Sequence, residues 1–503
     1  MERKQGTTLE NKIPEKAISL ANVLLTTIAV VSLIAWAHSI YYYVWTGVRQ
    51  FASAFDIVLF ICCPPVVASL VFASLRLSPA GKVAFAMLCL STVASVYAAE
   101  VLLRAWPSLL GVGLRAATTS VDGASEERKN EIRRLAEKFG VKFDTRDRIE
   151  VLLDLRARGI DAVPAVYPSA LLESSPGQPL KSIIRIDGTE VLPLGGISNK
   201  LSVLCNEIGD YIFYESDEHG FHNPKGLWNA ARLDLAVIGD SFAHGFCVPS
   251  HQHFIALIRG HYPATLSLGM GGNGPLLELA TLKEFLPSLK PKIILWAYFE
   301  KNDLIELRNE TRSPLLLQYL KPDFRQGLIS RQAEVDQALL AHVEKEKSQA
   351  LRKMHERNQR SRMMDGKKLG ELAKLSTLRL SLGLVSSQEN PEEQSAGVDR
   401  SADMALFRAV LLQAKTIAKG WDGSLYFLYL PQWERYALPS RVNQNREQVL
   451  EIVANLQVPV IDVHSAFESH GNPLSLFPFR RSGHYNTEGN RLVADTVLKR
   501  LAQ

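Results

Sequence analysis

The sequence predicts an α/β fold behind a membrane anchor, and three observations carry that prediction. Three apolar stretches of bilayer-spanning length stand near the N-terminus. From Leu233 onward, five short β-rich runs alternate with amphipathic helical patterns. Between the two regions, charged helical segments lead into short apolar runs broken by Pro, Gly and Asn. The boundaries fall at 1–107 for the anchor, 108–230 for linker helices and a small α+β cap, and 231–503 for a doubly wound domain with five parallel strands. A helical insertion interrupts that domain at about 329–400.

Composition narrows the function classes. At roughly 150 residues per domain, 503 residues leave room for several folding units. Lys and Arg number 57 against 52 Asp and Glu, and the resulting net charge of +5 lacks the concentrated basic field of a nucleic-acid binder. The mean hydropathy of −0.00 is high for a soluble chain, so the apolar residues are unevenly spread. Five cysteines, with no Cys-x-x-Cys pair and no Cys/His cluster, exclude a disulfide scaffold and a zinc ribbon.

The anchor reads as three transmembrane helices, near Ile18–Trp45, Ile57–Leu75 and Val83–Leu103. The first is too long for a signal-peptide core and is followed by two more, so cleavage is not expected. Tyr41, Tyr42, Tyr43, Trp45 and Trp106 stand where an aromatic belt belongs. Pro64 and Pro65 should kink the second span, and Asp56 and Glu100 lie near span ends, within reach of headgroup water. Arg3, Lys4, Lys12 and Lys16 precede the first span, only Arg49 follows it, and Arg76 and Lys82 separate the second from the third. That asymmetry puts the N-terminus inside and everything after Trp106 outside, which in a bacterium means a multi-pass inner-membrane protein with a periplasmic domain. Cys62, Cys63 and Cys89 fall in the membrane. An oxidising compartment permits a Cys205–Cys247 disulfide, with two buried thiols as the equal alternative.

Beyond the anchor, residues 125–158 read as two charged amphipathic helices, and 163–224 as small strands or an irregular cap. His219 and His222 lack a third ligand of suitable spacing and are not read as a metal site. The main domain then supplies the runs LDLAVIG, TLSLGM, KIILWAYF, SLYFLYLP and VPVIDV, continuous enough to be buried on both faces of a parallel sheet. Helical patterns follow near His253–Arg259, Leu276–Leu289, Ala402–Lys419, Asn443–Leu456 and Thr487–Leu501. The insertion reads as a long helix over 329–375, ahead of a loop at 386–401. Between Lys345 and Lys374 it carries ten Lys or Arg against four Asp or Glu. Such a helix is a solvated face, or a lid or arm on anionic headgroups or an acidic polysaccharide.

In a doubly wound sheet, chemistry sits at the carboxyl ends of the strands. The first run ends in Gly239-Asp240-Ser241-Phe242, placing a hydroxyl before a helix. The second enters Gly269-Met270-Gly271-Gly272-Asn273-Gly274-Pro275, whose glycines can aim backbone N–H groups at an oxyanion. The third ends in Glu300-Lys301-Asn302-Asp303, and His484 precedes the last helix.

These four blocks, in this order, resemble the SGNH (GDSL) hydrolase family over about 234–503. The family contains esterases, lipases, carbohydrate deacetylases and some polysaccharide O-acetyltransferases. The resemblance implies a flavodoxin-like sheet and needs no cofactor or metal. Position by position, it makes Ser241 the nucleophile and His484 the base. The N–H groups of Ser241 and Gly272 and the Asn302 amide become oxyanion donors, while Asp240 and Asp303 serve as structural support. Two positions depart from the pattern. Glu300 stands where the third block usually has Gly, and Arg481 stands where the last block usually has an acid three residues before His484. The imidazole then needs another partner for its Nδ1–H, and Asp462 at the end of the fifth run is the candidate; a Ser/His dyad is the alternative.

The leading expectation is therefore a membrane-anchored esterase acting on acyl esters of a cell-envelope or exported polysaccharide. Alternatives are a polysaccharide O-acetyltransferase fed by a membrane partner, and a catalytically inactive glycan-binding or assembly protein among other membrane polysaccharide-assembly proteins. Of the remaining candidates, His244 reads as a surface residue one turn from Ser241, and Trp433 and Tyr436 as packing residues.

Overall fold

A computed structural model describes residues 14–41, 61–105, 126–175, 177–362, 401–438 and 445–503. They fall into two compact units, one of N-terminal helices and one holding everything from Glu126 onward.

In the first unit, uninterrupted apolar sequence forms helices Glu15–Ile40 and Pro79–Ala105. Glu15–Ile40 and the Pro79–Ala99 portion of the latter are long and apolar enough to cross a membrane. The second of the three spans expected from sequence, Ile57–Leu75, is not among these, and its first residues lie outside the described ones. Its described helix, Cys63–Ser74, has 12 residues and is about 18 Å long, short of the roughly 30 Å of a hydrocarbon core. Pro64 and Pro65 occupy the first turn of this α-helix, directly after a π-helical pair at 61–62. Ala21, Leu25, Ala29, Val71 and Ala86 pack together, while Leu20, Val23, Ile34, Leu70 and Met87 point outward, each more than half exposed. Tyr42, Tyr43, Trp45, Asp56, Trp106, Arg3, Lys4, Lys12 and Arg49 lie outside the described residues.

The second unit begins with helices Glu126–Lys138 and Arg148–Ala157, the latter started by an Asp147/Glu150 capping box. Three short strands follow: β1 (Ala162–Pro164), β2 (Leu201–Val203) and β3 (Phe213–Glu215). β1 runs parallel to β2, and β2 antiparallel to β3 with Val203 opposite Phe213, so residues 204–212 close a hairpin.

The main sheet contains β4 (Leu235–Gly239), β5 (Thr265–Ser267), β6 (Ile293–Phe299), β7 (Ser424–Leu430) and β8 (Val460–Asp462), all parallel in the order β8-β7-β6-β4-β5. This is the doubly wound order the sequence predicts. Along β4, Leu235 and Val237 join one apolar core and Ala236 and Ile238 the other, so both faces are buried. The chain leaves β4 for β5 on one side and returns to β6 on the other. The switch point, where ligands bind in such sheets, therefore lies between the ends of β4 and β6.

The insertion is a helix over Gln332–Arg362, and residues 363–400 lie outside the described residues. Its first turns are not wholly solvated. Val335, Leu339 and Val343 are buried in the core, Asp336 accepts bonds from Ser198 N and Oγ, and Glu344 pairs with Arg156 of the cap at 2.7 Å.

Candidate active site

Ser241 opens the one-turn helix Ser241–His244 directly after β4, and Asp240 caps that helix by accepting from Phe242 N–H at 2.9 Å. The close approach of the following loop depends on Gly269: a Cβ there would lie 2.4 Å from the Ala243 backbone. Met270 N–H donates to Gly239 O, which seats the glycine turn beside Ser241. Gly272 sits at φ +73°, a conformation that favours glycine. Across the switch point, Asn302 stands at the N-cap position of helix Asp303–Glu310 without a side-chain capping bond, and the side-chain oxygen of Asp303 accepts from Phe299 N–H.

His484 reaches the same edge from the loop before helix Thr487–Leu501. Its Nε2 accepts the Ser241 hydroxyl at 2.8 Å, and its ring lies between Phe242 and Phe246, each 4.9 Å away between centroids. The partner of Nδ1 is Glu207, in the β2–β3 hairpin of the cap. Oε1 accepts Nδ1–H at 2.9 Å, and Oε2 accepts the His484 backbone N–H at 3.0 Å. Gly483 leaves room for this carboxylate, since a Cβ there would meet Oε2 at 2.9 Å.

Asp462 is accordingly not the partner of His484. Its carboxylate turns back to cap helix Val463–Glu468, accepting from His464 N–H at 3.0 Å, and pairs with Arg446. An Asp at a strand-to-helix junction has its own backbone N–H groups within reach, and that local bond wins. Glu207 gave no local signal, because it lies in the cap and matches no motif spacing.

The electrostatics follow from these contacts. Burial opposes the charged imidazole of His484, but the Glu207 charge, its hydrogen bond and the Asp240 charge together raise the pKa. Burial likewise opposes ionisation of Glu207, and the charge and hydrogen bonds of His484 outweigh it, leaving the carboxyl below its usual range. Behind Ser241, burial pushes Asp240 up to about 6 and Asp303 well above the ordinary carboxylate range.

The second departure from the motif is also resolved. Glu300 is buried and binds Arg435 through two bonds of 3.0 and 2.7 Å, Gln432 N–H at 2.9 Å, and the Tyr429 hydroxyl. It joins the loops after β6 and β7. Lys301 extends this link, pairing with Glu434 at 2.7 Å, which in turn accepts from the Ser482 hydroxyl.

Other singled-out residues are structural. His244 is buried, not on the surface, and its Nδ1 accepts from Gly271 N–H at 3.3 Å. His222 bridges His244 O and the Ser250 hydroxyl, and His219 meets Gln332. Trp433 donates to Arg480 O, and Tyr436 meets His464. Cys205 and Cys247 form a disulfide with 5.4 Å between Cα atoms. Among the described residues, Glu207, Cys247 and His484 bring potential ligand atoms within 4.8 Å of one another. The Cys247 sulfur is committed to the disulfide and His484 Nδ1 to Glu207, which leaves no donor set suited to a metal.

No protein-family model and no curated protein matches the sequence. Solved structures similar to it include a protein from Desulfitobacterium hafniense described as a lipolytic protein of the G-D-S-L family (10% identity, covering 53% of this chain and 97% of that one, TM-score 0.29). A lipase/acylhydrolase from Enterococcus faecalis (13%, 54% and 95%, 0.29) and an acetylxylan esterase from Geobacillus stearothermophilus (13%, 54% and 94%, 0.29) are others. At these scores the likeness carries no weight, and the functional reading rests on the geometry of the site.

Proposed function

We propose that this chain is a membrane-tethered serine esterase that removes small acyl groups from a carbohydrate through an acyl-serine intermediate. The observation that carries the reading is the unbroken line of hydrogen bonds from the Ser241 hydroxyl through His484 to Glu207. His484 takes the hydroxyl proton as Ser241 Oγ attacks the ester carbonyl. Glu207 holds the imidazole in the tautomer whose Nε2 is free to accept, and stabilises the imidazolium that forms. The oxyanion is met by the N–H groups of Ser241 and Gly272 and by the Asn302 amide, each well-placed donor contributing about 3 to 4 kcal/mol. The imidazolium then protonates the departing alkoxide. Water, activated by His484 in its turn, attacks the acyl-serine and releases the acid.

A small acyl group is favoured by the crowding at the glycine turn. Ser169 donates to Gly271 O at 3.2 Å, and a Cβ on Gly271 would meet Phe246 at 2.8 Å and Tyr167 at 3.1 Å. A relay that includes all three members argues against a catalytically silent role. Helices Glu15–Ile40 and Pro79–Ala105 provide the tether. The disulfide suits an oxidising compartment, in support of an extracytoplasmic catalytic unit.

The decisive experiment is Ser241→Ala in the full chain. Labelling by a fluorophosphonate probe and release of p-nitrophenol from its acetate ester should both disappear, and full activity in that variant overturns the assignment. A C-terminal phosphatase fusion should be active if the domain is exported, and an inactive fusion would sink that placement.

A further inference from the structure

We propose that the Cys205–Cys247 disulfide is the brace that holds the Glu207 carboxylate on His484, so that reducing it uncouples the acid from the base; this rests on the serine-esterase reading of the same site. The crosslink sits at the relay itself. Cys205 lies two residues before Glu207 and stays paired to the hairpin, its carbonyl accepting from Ile212 N–H at 2.8 Å. Cys247 lies six residues after Ser241, buried, in the loop that leaves the nucleophile helix. Its sulfur is within 4.8 Å of both the Glu207 carboxylate and a His484 ring nitrogen.

Other bonds of the Glu207 loop shape it without placing it. The Asn206 side chain binds Gly209 N, Gly209 O and Asp144 O, and the Tyr211 hydroxyl donates to Arg146 O. These partners belong to the cap; across to the main domain the hairpin also accepts the Ser250 hydroxyl on Phe213 O at 3.4 Å and packs Leu204, Ile208 and Tyr214 with Phe246, contacts that seat the hairpin as a whole and leave the crosslink as the tie nearest the carboxylate. The disulfide spans the gap covalently, linking the cap hairpin to the nucleophile loop across 42 residues of sequence. It makes the meeting of carboxylate and imidazole intramolecular at short range. Without it, the Glu207 carboxylate, whose side chain is 25% exposed, has water as a competing partner.

Reduction by an external dithiol is balanced as follows. One thiolate of the reagent attacks the more accessible Cys205 sulfur, the S–S bond breaks, and Cys247 leaves and takes a proton. The second reagent thiol displaces Cys205 as a thiol and departs as a cyclic disulfide; the protein gains two electrons and two protons.

The test uses the full chain in detergent, oxidised or reduced and then desalted anaerobically, as wild type and as Glu207→Gln, with kcat/KM on p-nitrophenyl acetate followed against pH. Reduction should lower the wild-type value by about 10- to 100-fold and move its acid limb to lower pH, reversibly on reoxidation. In Glu207→Gln, reduction should change it less than about twofold, because the acid is already gone. The double variant Cys205→Ala/Cys247→Ala should copy the reduced wild type; if it fails to fold, the reduced wild type decides alone. Equal losses in both backgrounds, a loss with an unmoved limb, or no effect of reduction while Glu207→Gln is impaired would each overturn the brace. An unimpaired oxidised Glu207→Gln would instead overturn the triad.

Discussion

Replacing Glu207 by Gln perturbs the relay while nearly preserving its shape. In the native chain the carboxylate accepts twice, from the imidazole N–H at 2.9 Å and from the His484 backbone N–H at 3.0 Å. An amide has one acceptor and one donor. If its oxygen keeps the backbone N–H, its NH₂ faces Nδ1, and the imidazole is satisfied only by moving its proton to Nε2. That tautomer presents an N–H to Ser241 and cannot act as a base. The lost charge adds to this. Opposite unit charges at such a separation attract by roughly 6 kcal/mol at an effective dielectric constant near 20, and the amide dipole recovers part of it. With about 4 kcal/mol withdrawn from the transition state, kcat/KM should fall roughly a thousandfold. Hydrolysis of p-nitrophenyl acetate at saturating and limiting substrate measures it, with the fall expected in kcat. The pH profile supplies a second reading. The charge of Glu207 helps hold the His484 pKa up against burial, so in the variant the acid limb should move to lower pH. Activity within about threefold of wild type, or an acid limb moved upward, would refute the relay.

Three further outcomes can be checked together. Asp462→Asn should leave kcat/KM within about twofold and cost less than about 1 kcal/mol in thermal unfolding, since Asn caps a helix as well as Asp and only the part-exposed pair with Arg446 is lost; a catalytic loss like that of Glu207→Gln would return it to the site. Glu300→Gly, which restores the residue common in the resembling family, should lower the unfolding free energy by about 3–5 kcal/mol in a denaturant titration, because Arg435 is left charged and largely enclosed. An unchanged midpoint would exclude that. Acidification should also draw down the share of stability held by the buried imidazoles. Burial, the largest cause for both, lowers His222 to about 4 and His253 to about 3. Between those values and about 6.5 the unfolded chain binds more protons at these sites, so each contribution drops as pH falls, by about 2 kcal/mol between pH 8 and pH 5. His484, with its raised pKa, works the other way, as do the buried carboxyls of Asp240, raised to about 6, Glu310, raised to about 8, and Asp303, so the imidazole share is read by difference. A stability difference between wild type and His222→Gln that stays constant from pH 8 to pH 5 would refute the assignment of a neutral buried imidazole.

What the sequence makes legible here is set by where each signal is stored. The strands of the main sheet are buried on both faces, so each writes itself as a continuous apolar run. Helix Thr487–Leu501 follows the predicted span closely, and the serine and the histidine fall where strand ends meet helix starts. Each of these is a local signal. The middle apolar segment shows the limit of such reading: its composition predicts a full span, but at Pro64 and Pro65 the described helix changes from π to α geometry and its α-helical part runs only over Cys63–Ser74. The helical insertion shows another. Its net basic charge conceals Val335, Leu339 and Val343, a buried stripe at helical spacing.

Glu207 could not be read locally, because it meets His484 across 277 residues and comes from a different layer of the fold. Two clues in the sequence nevertheless bear on it. Asp462 at the junction of a strand and a helix carries the signature of an N-cap, and a carboxylate engaged with its own backbone is a poor candidate for a distant imidazole. The pairing of Cys205 with Cys247, once granted, fixes residue 205 near residue 247 and hence near Ser241, six residues earlier. An acid within two or three residues of Cys205 then lies in the neighbourhood of that sheet edge, within about 10 Å of chain, and Glu207 is the acid there. The cross-link thus carries long-range information that motif spacing lacks. It also means that the cap belongs to the proposed active site, since a unit cut at residue 231 would keep Ser241 and His484 but lose the carboxylate bound to the imidazole.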